Sequence, residues 1–399
     1  MKKQFDPNDF LTKTAREIPP SGIRKFFDLA AEMEDAISLG VGEPDFVTPW
    51  HIRQAGIESL KKGHTYYTSN WGLLELREEI SRYMDRKRGV HYRPSDEILV
   101  TVGGSEALDL AIRAIISPGD EVLIPEPCFV CYKPCVTLCG GVPVTIETKM
   151  EDQFKLTPEL LLKSITPKTK LLVLTYPNNP TGAVMTKEDL ERIVPIIEEH
   201  NLMVISDEIY GELTYSGEHT SITQFESMRD RTILINGFSK SYAMTGWRLG
   251  FACAHRDIVS VMTKIHQFAI MSSPTTSQYS AIEALKNGDE DVAYMKKEYN
   301  YRRRYLVDAL NKIGLNCFEP FGAFYVFPSI RSTGMTSADF CEQLLMREKV
   351  AVIPGTAFGE CGEGHVRISY AYSLEQLKKA LKRIEAFINN LPKNGNQIE

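Results

Sequence analysis

One lysine, Lys240, and one arginine, Arg248, stand in the stretch NGFSKSYAMTGWRLG (236–250), which follows the apolar run RTILI. Lysine is among the residues least often buried, yet little beside Lys240 would solvate its charge. In a desolvated place near a second cation, the pKa of a lysine falls because its charged form is disfavoured. A neutral lysine amine is a nucleophile that forms Schiff bases. The alternative is a lysine that reaches solvent or pairs with a carboxylate, and the neighbourhood favours the nucleophile.

A glycine-rich turn, GGSEA, directly follows another apolar run, EILVTV, and its Gly104 and Ser105 open a helical pattern. Free N–H groups at a helix N-terminus bind phosphate, and glycine lets the anion approach the backbone closely. Ser239 and Arg248 would add a hydroxyl and a planar fork of donors to such a site. The turn is neither GxGxxG nor a Walker A loop. Taken alone, it is equally a tight turn with Ser105 as an N-cap.

Two more strand ends carry polar side chains: Asp207 and Tyr210 after NLMVIS, and Asn179 in PNNPTG after KLLVLTY. Asp207 suits a heteroaromatic ring nitrogen, and Asn179 and Tyr210 suit a phenolate oxygen on the same ring. Singly, Asp207 reads as a helix cap or a core ion pair, and PNNPTG as a turn. Together with Lys240 and the phosphate turn, they are the parts of a pyridoxal phosphate (PLP) site. There Lys240 would carry a proton between the substrate Cα and C4′ of the cofactor as base and then acid.

The elements that must position these residues follow from short apolar runs between helical patterns. Six runs read as buried strands: 97–102, 120–125, 170–176, 201–207, 231–237 and 249–254. Their alternation with helices predicts an α/β fold with a mostly parallel sheet covered on both faces. Ligands of such sheets bind outside the carboxyl ends of the strands. Thr186 and Asp189 are placed as a capping box for one of the helices.

The last third of the chain has another pattern. A long helical segment from Asp291 precedes three strand-like runs, GAFYVFPSI, KVAVIPG and HVRISYAY. The chain then closes with a helix whose apolar stripe starts after the N-cap Ser373. This indicates a smaller α+β unit with its own core. We predict an N-terminal segment 1–45 that packs with the small domain, a large domain 46–285 and a small domain 286–399.

Bulk properties exclude several classes of protein. The net charge of −6 over 399 residues gives no reason to expect a nucleic-acid partner, which usually needs a basic face. The N-terminus lacks the apolar region of a secretory signal, and no stretch is long enough for a membrane span. We therefore expect a cytoplasmic protein with reduced thiols. Cys128, Cys131, Cys135 and Cys139 recur at helical spacing, which favours one buried helix face over a metal site.

The combination of motifs resembles the fold type I PLP-dependent class I aminotransferases, particularly the bacterial and archaeal aspartate, aromatic and alanine subgroup. The motifs are GEPDF, PNNPTG, SDEIY, FSKSYAMTGWRLG and VRISYA, and the resemblance runs from about Ala15 to Ile388. It implies a large domain with a sheet of the seven-stranded type and a smaller α+β domain. It also implies a homodimer with shared active sites.

The resemblance assigns a role to each matching residue. Lys240 is similar to the Schiff-base lysine, Asp207 to the partner of the ring nitrogen, and Asn179 and Tyr210 to the groups that hold the ring oxygen. The phosphate site is matched by Gly104, Ser105, Ser239 and Arg248, and by Tyr67 reaching across to the neighbouring subunit. Phe129 stands where an aromatic residue stacks on the cofactor, although many members have tryptophan there. For the substrate, Arg367 and Gly42 match the contacts to the α-carboxylate, and Ile23 an apolar gate over the side chain.

These expectations give a reaction. An L-amino acid of the aromatic, alanine or aspartate type would pass its amino group to a 2-oxo acid such as 2-oxoglutarate or pyruvate, in a ping-pong mechanism. The stretch 266–280 has no arginine to clamp a second carboxylate, which weakens a purely dicarboxylate specificity. The alternatives are a PLP-dependent C–S β-lyase, a non-catalytic regulator that keeps the fold, and a PLP-free Schiff-base aldolase, which would leave GGSEA and Arg248 without a phosphate.

Overall fold

The computed structural model describes residues 5–20, 22 and 33–391. Its strands, in chain order, are β1 (Ile37–Ser38), β2 (Ile98–Thr101), β3 (Glu121–Glu126), β4 (Val142–Glu147), β5 (Thr169–Leu174), β6 (Met203–Asp207), β7 (Thr232–Gly237), β8 (Gly250–Cys253), β9 (Tyr325–Val326), β10 (Val350–Ala351), β11 (Ile353–Pro354) and β12 (Val366–Ser369).

The α-helices of the described residues are α1 (Lys13–Glu17), α2 (Trp50–Lys61), α3 (Leu74–Arg88), α4 (Gly103–Ile115), α5 (Tyr132–Leu138), α6 (Pro158–Ser164), α7 (Lys187–Glu199), α8 (Glu226–Arg229), α9 (Arg256–Ala269), α10 (Thr275–Asn287), α11 (Asp289–Lys312), α12 (Ser337–Glu348) and α13 (Leu374–Asn389). None of them is long and apolar enough to cross a membrane.

A seven-stranded sheet, in the order β2-β8-β7-β6-β5-β3-β4, forms the centre of the molecule. Strand β8 is antiparallel to both of its neighbours, and the other pairs are parallel. The predicted mostly parallel α/β sheet is therefore confirmed, and all six predicted strands belong to it. The seventh, β4, was not predicted. It is an edge strand with half its residues exposed, so it lacks the continuous apolar run of a buried strand.

Helices cover both faces of this sheet. Alternate residues of β2 point to opposite sides, so that Ile98 and Val100 join one apolar core while Leu99 joins another. The first core includes Leu76 of α3, and the second includes Ala107 of α4. Because both faces are buried, the polar ends of the strands are left as the place where chemistry can occur.

The C-terminal third forms its own small sheets. Strands β11, β12 and β9 make an antiparallel sheet, and β1 pairs with β10 in parallel. The residue after β1 also contacts the antiparallel sheet, since the Ser369 N–H of β12 donates to the Leu39 carbonyl at 2.8 Å. The domain boundaries at residues 45 and 285 remain a prediction.

Two capping predictions are confirmed, and one helix prediction needs correction. Thr186 and Asp189 form the capping box of α7, and Ser373 caps α13. The cysteine stretch forms a shorter helix than its spacing indicated. Helix α5 spans Tyr132–Leu138, so of the four cysteines only Cys135 lies within it, while the Cys128 N–H donates to the Phe358 carbonyl at 2.9 Å. The eight cysteines are free thiols, and no described group of His, Cys, Asp and Glu side chains is placed to hold a metal ion.

Candidate active site

A cavity of about 580 Å³ opens at the carboxyl ends of β2, β5, β6 and β7. It is bordered on the other side by β9, β12 and the segment after β1. Of the thirteen site residues predicted from the sequence, the cavity wall brings together eleven: Gly42, Gly104, Ser105, Phe129, Asn179, Asp207, Tyr210, Ser239, Lys240, Arg248 and Arg367.

One predicted residue, Tyr67, is not among the lining residues and is 81 % exposed on the surface of the single chain. Ile23 lies outside the residues that the structure describes.

Lys240 occupies the middle of the cavity wall, just after β7. Its Nζ donates to the Gly42 carbonyl at 2.6 Å. Burial lowers the pKa of Lys240 to about 8; the Glu43 carboxylate opposes this shift, and the Arg367 and Arg248 guanidinium groups add to it. A substantial fraction of this amine is thus neutral near physiological pH, as a nucleophile requires.

The turn between β2 and α4 forms one end of the cavity. Helix α4 begins at Gly103, so Ser105 lies inside the first turn and is not the N-cap. The Arg248 guanidinium lies against this turn, since a Cβ built on Gly103 would come within 2.6 Å of Arg248 Nη2. The first N–H groups of α4 and the guanidinium thus converge on one place, which suits an anion.

This turn is held from behind by its neighbours. A Cβ on Gly250 of β8 would come within 2.6 Å of the Gly104 nitrogen, so only glycine lets the strand pack against the turn. The Glu106 carboxylate accepts the Val102 N–H and lies 2.7 Å from Nδ1 of the buried His266. The backbone of the turn is therefore set before any ligand arrives.

Asp207 lines the cavity where β6 stops. Its carboxylate accepts hydrogen bonds from the Tyr132 hydroxyl at 2.9 Å and the Ile209 N–H at 3.2 Å. Burial raises the pKa of Asp207, and within the described chain no basic side chain forms an ion pair with it. A protonated ring nitrogen would supply the missing positive charge. Phe129, edge-on to Tyr132 at 6.3 Å, stands on the adjoining wall.

Arg367 of β12 closes the side of the cavity near Lys240. Its guanidinium lies between the rings of Tyr325 and Phe358, with Cζ 4.5 and 4.7 Å from their centroids. Nη1 donates to Asn179 Oδ1 at 2.9 Å, and Nη2 donates to the Gly40 carbonyl. Its Nε is buried without a partner, and none of the ion pairs in the described part of the chain includes Arg367. A buried guanidinium in this state is a site for a carboxylate.

Sequence reasoning left half of the lining residues unassigned, among them the polar side chains of Glu43, Tyr132 and Tyr325. Glu43 belongs to the quoted motif GEPDF, but no role was read from it. Tyr132 stands among cysteines that drew attention to metal chemistry instead. Tyr325 lies in the run GAFYVFPSI, whose alternation indicated a strand but not which face meets the site.

The arrangement fits PLP at each of its functional groups. The α4 turn with Arg248 suits the phosphate, Asp207 suits the ring nitrogen, and Lys240 between them suits the aldehyde. Tyr210, three residues after Asp207, also lines the cavity, and its hydroxyl lies 2.9 Å from the Tyr325 hydroxyl. The further site at Arg367 matches the carboxylate of an amino acid bound beside the cofactor.

Comparisons with known proteins identify the family. Residues 34–384 match the family model for aminotransferases of class I and II. The chain is 54% identical over 380 residues to YugH of Bacillus subtilis (strain 168), named only provisionally as an aminotransferase, covering 95% of this chain and 98% of YugH. It is 47% identical to an aspartate aminotransferase of Pyrococcus abyssi, covering 92% of this chain and 95% of that protein.

A solved structure agrees with these relatives. The aromatic aminotransferase of Pyrococcus horikoshii superimposes with a TM-score of 0.88 at 46% identity, covering 92% of this chain and 98% of that one. These names describe aminotransferases, so they favour amino-group transfer over a C–S β-lyase or a non-catalytic regulator. The chain therefore belongs to the class I and II aminotransferase family and is a PLP-dependent aminotransferase of fold type I.

Proposed function

We propose that this aminotransferase takes its amino group from L-amino acids with uncharged side chains, aromatic amino acids and alanine among them, and passes it to a 2-oxo acid such as 2-oxoglutarate or pyruvate. The observation that carries the proposal is Arg367, a buried guanidinium without a carboxylate partner, 188 positions from the Asn179 to which it donates. The α-carboxylate shared by all these substrates is the natural partner of such a group.

The cations of the cavity wall support the preference for uncharged donors. Among the described lining residues the cations are Lys240, Arg248 and Arg367. All three have a role in this proposal, since Lys240 acts on the substrate Cα, Arg248 holds the cofactor phosphate, and Arg367 holds the α-carboxylate. The carboxylate of Glu43 would repel a second acidic group. An aspartate side chain therefore finds no cation of this wall that is not already assigned.

The residues divide the work of the reaction. When bound, PLP supplies a ring that withdraws electrons from the substrate Cα. Asp207 would keep a proton on the ring nitrogen, and Asn179 and Tyr210 would hydrogen-bond the ring oxygen. Lys240 would take the proton from the substrate Cα as base and deliver it as acid to C4′ of the cofactor, which moves the amino group. Phe129 would pack against the ring, and Gly42 would contact the substrate beside its carboxylate. The phosphate would be held by four residues: Gly104, Ser105, Ser239 and Arg248.

We also propose a homodimer with shared active sites and a cytoplasmic location. Tyr67 supports the dimer, because an aromatic residue that is 81 % exposed is available to reach the phosphate site of a second chain. The free cysteines agree with a reducing compartment. For the domains we propose the division 1–45, 46–285 and 286–399, in which the pairing of β1 with β10 supports grouping the first part with the last.

The test is a half-reaction screen of the twenty common amino acids. Each is mixed with the PLP-loaded protein without an acceptor, and the change in the visible absorbance of the bound cofactor is followed. We expect aromatic amino acids and alanine to react faster than aspartate and glutamate. If aspartate reacted as fast as phenylalanine, the specificity would be wrong. Release of pyruvate and ammonia from cystathionine without an acceptor would indicate a β-lyase instead.

A further inference from the structure

Tyr325 of β9 contacts both Arg367 and Tyr210 in the candidate site. It is 1 % exposed and lines the cavity. In the register of the small sheet it stands opposite Ser369, two residues from Arg367 on β12. Residues two apart on a strand share a face, so Tyr325 and Arg367 form a diagonal pair on the same side of the sheet.

The ring of Tyr325 packs on the guanidinium of Arg367. The guanidinium Cζ is 4.5 Å from its centroid and 4.7 Å from the centroid of the Phe358 ring. Two aromatic rings packed on a planar guanidinium fix its orientation and thus the direction of its donor edges. Those edges are the ones that donate to Asn179 and Gly40.

The hydroxyl of Tyr325 makes a separate contact. It lies 2.9 Å from the Tyr210 hydroxyl, which comes from the loop after β6 in the large sheet. A Cβ on Gly42 would come within 2.5 Å of the same hydroxyl, so this place is enclosed. A phenol has one proton to donate, and if Tyr210 gives its proton to a ligand, the Tyr325 hydroxyl must donate to Tyr210.

We propose that Tyr325 is a positioning residue that acts through two others. Its hydroxyl donates to Tyr210 and so directs the Tyr210 proton toward the ring oxygen of the cofactor, and its ring holds Arg367 flat for the substrate carboxylate. The inference rests on the proposed roles of Tyr210 and Arg367. Donation into Tyr210 strengthens the Tyr210 hydrogen bond, because chained hydrogen bonds polarise one another.

Other charged and titratable groups face this pair of phenols, and they stay unchanged in the variants below. They come from β12 and the residues after it, from the segment after β1, and from the ends of β6 and β7: Arg367, Tyr372, Glu43, Asp207 and Lys240.

The experiment compares Tyr325→Phe, which keeps the ring, with Tyr325→Met, which removes the ring but fills much of its volume. Tyr176→Phe is the matched control, since the Tyr176 hydroxyl is buried and bonded to the Phe154 carbonyl away from the cavity. The readouts are the pH midpoint of the visible absorbance of bound PLP without substrate, and KM for a series of amino acids.

A donor to the ring oxygen stabilises its negative charge, so a weaker donor raises the midpoint. We expect Tyr325→Phe to raise the midpoint by about half a unit to one unit, with KM within about twofold of the unaltered protein. Tyr325→Met should raise the midpoint similarly, and should also raise KM about fivefold or more for every donor alike. Tyr176→Phe should leave the midpoint and KM unchanged.

Tyr210→Phe separates this inference from the proposed function. If Tyr210→Phe shifts the midpoint and Tyr325→Phe does not, the role of the Tyr325 hydroxyl is wrong while the role of Tyr210 stands. If neither variant shifts the midpoint, the proposed roles of both hydroxyls are wrong. An unchanged KM in Tyr325→Met overturns the role of the ring. Tyr325→Phe keeps the buried ring, so the hydroxyl half can be tested even if the methionine variant does not fold.

Discussion

Lys240 shows how far a single residue can be understood from its surroundings. The sequence predicted a lowered pKa from the small neighbours and from Arg248. In the structure burial is the largest cause, and Arg367 acts with Arg248 to lower the pKa further. Arg367 lies 127 positions away in the chain, so its contribution could not be read from local spacing.

The pKa of about 8 predicts how PLP attaches to the cofactor-free protein. The neutral amine is the nucleophile, and its fraction falls about tenfold for each pH unit below the pKa. The attachment rate should therefore rise steeply between pH 6 and pH 8 and level off above. Stopped-flow absorbance after mixing with PLP measures this rate. A rate that does not change over this range would contradict the assignment.

Lys240→Ala should lose the covalent link and amino-group transfer while it keeps the fold. After PLP and borohydride, the mass of the unaltered protein should increase and that of the variant should not. Lys264→Ala, an exposed lysine on α9, is the control and should be labelled normally. A labelled, fully active Lys240→Ala protein would place the nucleophile elsewhere.

Arg367→Ala should raise KM for every amino acid by a similar factor, about 100-fold, because it removes a charged hydrogen-bond partner of the shared carboxylate. Steady-state kinetics with phenylalanine, alanine and a third donor measure it. An effect limited to one donor would instead assign Arg367 to side-chain recognition.

Aromatic side chains mark the limit of prediction at this scale. Lysine, aspartate and glycine-rich turns carry chemical meaning by type, so Lys240, Asp207 and Gly104 could be found in the sequence. Tyr325 reads as a core residue, because its role depends on a 2.9 Å contact with a loop 115 positions away. Only the three-dimensional arrangement shows such a role.

At the scale of the elements, buried strands were predictable and the exposed strand β4 was not. Strands β2, β3 and β5 to β8 have continuous apolar runs because helices cover both faces. Both β2 and β4 are edge strands, but β2 is fully buried while half the residues of β4 are exposed, so only β4 has a mixed pattern. Helix α5 is shorter than its cysteine spacing predicted, since Cys128 and Cys131 precede it.

His51 joins three helices in a way that makes their contact depend on pH. From α2, its Nδ1 lies 2.7 Å from Glu283 of α10, and its Nε2 lies 2.9 Å from Asp291 of α11. Burial lowers the pKa of His51, but hydrogen bonds to Asp291 and Glu283 outweigh it, so the pKa is raised above 6.5. The stabilisation is then complete below the unfolded pKa and is lost as the pH rises through the raised value.

We therefore expect His51→Gln to lower Tm more at pH 5.5 than at pH 9. Thermal unfolding followed by circular dichroism at both pH values measures the difference. His200→Gln, at the exposed end of α7, is the control and should show the pH dependence of the unaltered protein. Equal losses at the two pH values would show that the contact acts through packing rather than charge.

At the scale of the whole molecule, exposed apolar side chains mark a surface for association. Tyr66 and Tyr67 are 80 % and 81 % exposed, and Phe268 at the end of α9 is 87 % exposed. The two segments touch, since the Asn70 side chain donates to the Met271 carbonyl at 2.7 Å. Grouped exposed aromatic residues favour a protein interface, as the proposed homodimer requires.

Phe268→Asp should shift the dimer toward monomer and weaken PLP binding, because Tyr67 could no longer reach a second site. Sedimentation equilibrium measures the first effect, and absorbance titration with PLP the second. Met346→Asp, which changes an exposed apolar residue on α12, should alter neither. A monomeric variant with unchanged PLP affinity would exclude Tyr67 from the cofactor site.

The contacts that hold Arg367 in place have a thermodynamic consequence. Immobilising a flexible side chain during association costs about 0.5–1.5 kcal/mol, and this guanidinium is already immobilised by two rings and two acceptors. The remaining ordering entropy then comes mostly from the incoming molecule. Amino acids with few rotatable bonds should therefore bind with the smallest entropic penalty. Calorimetry should find a smaller penalty for them than for long, flexible amino acids.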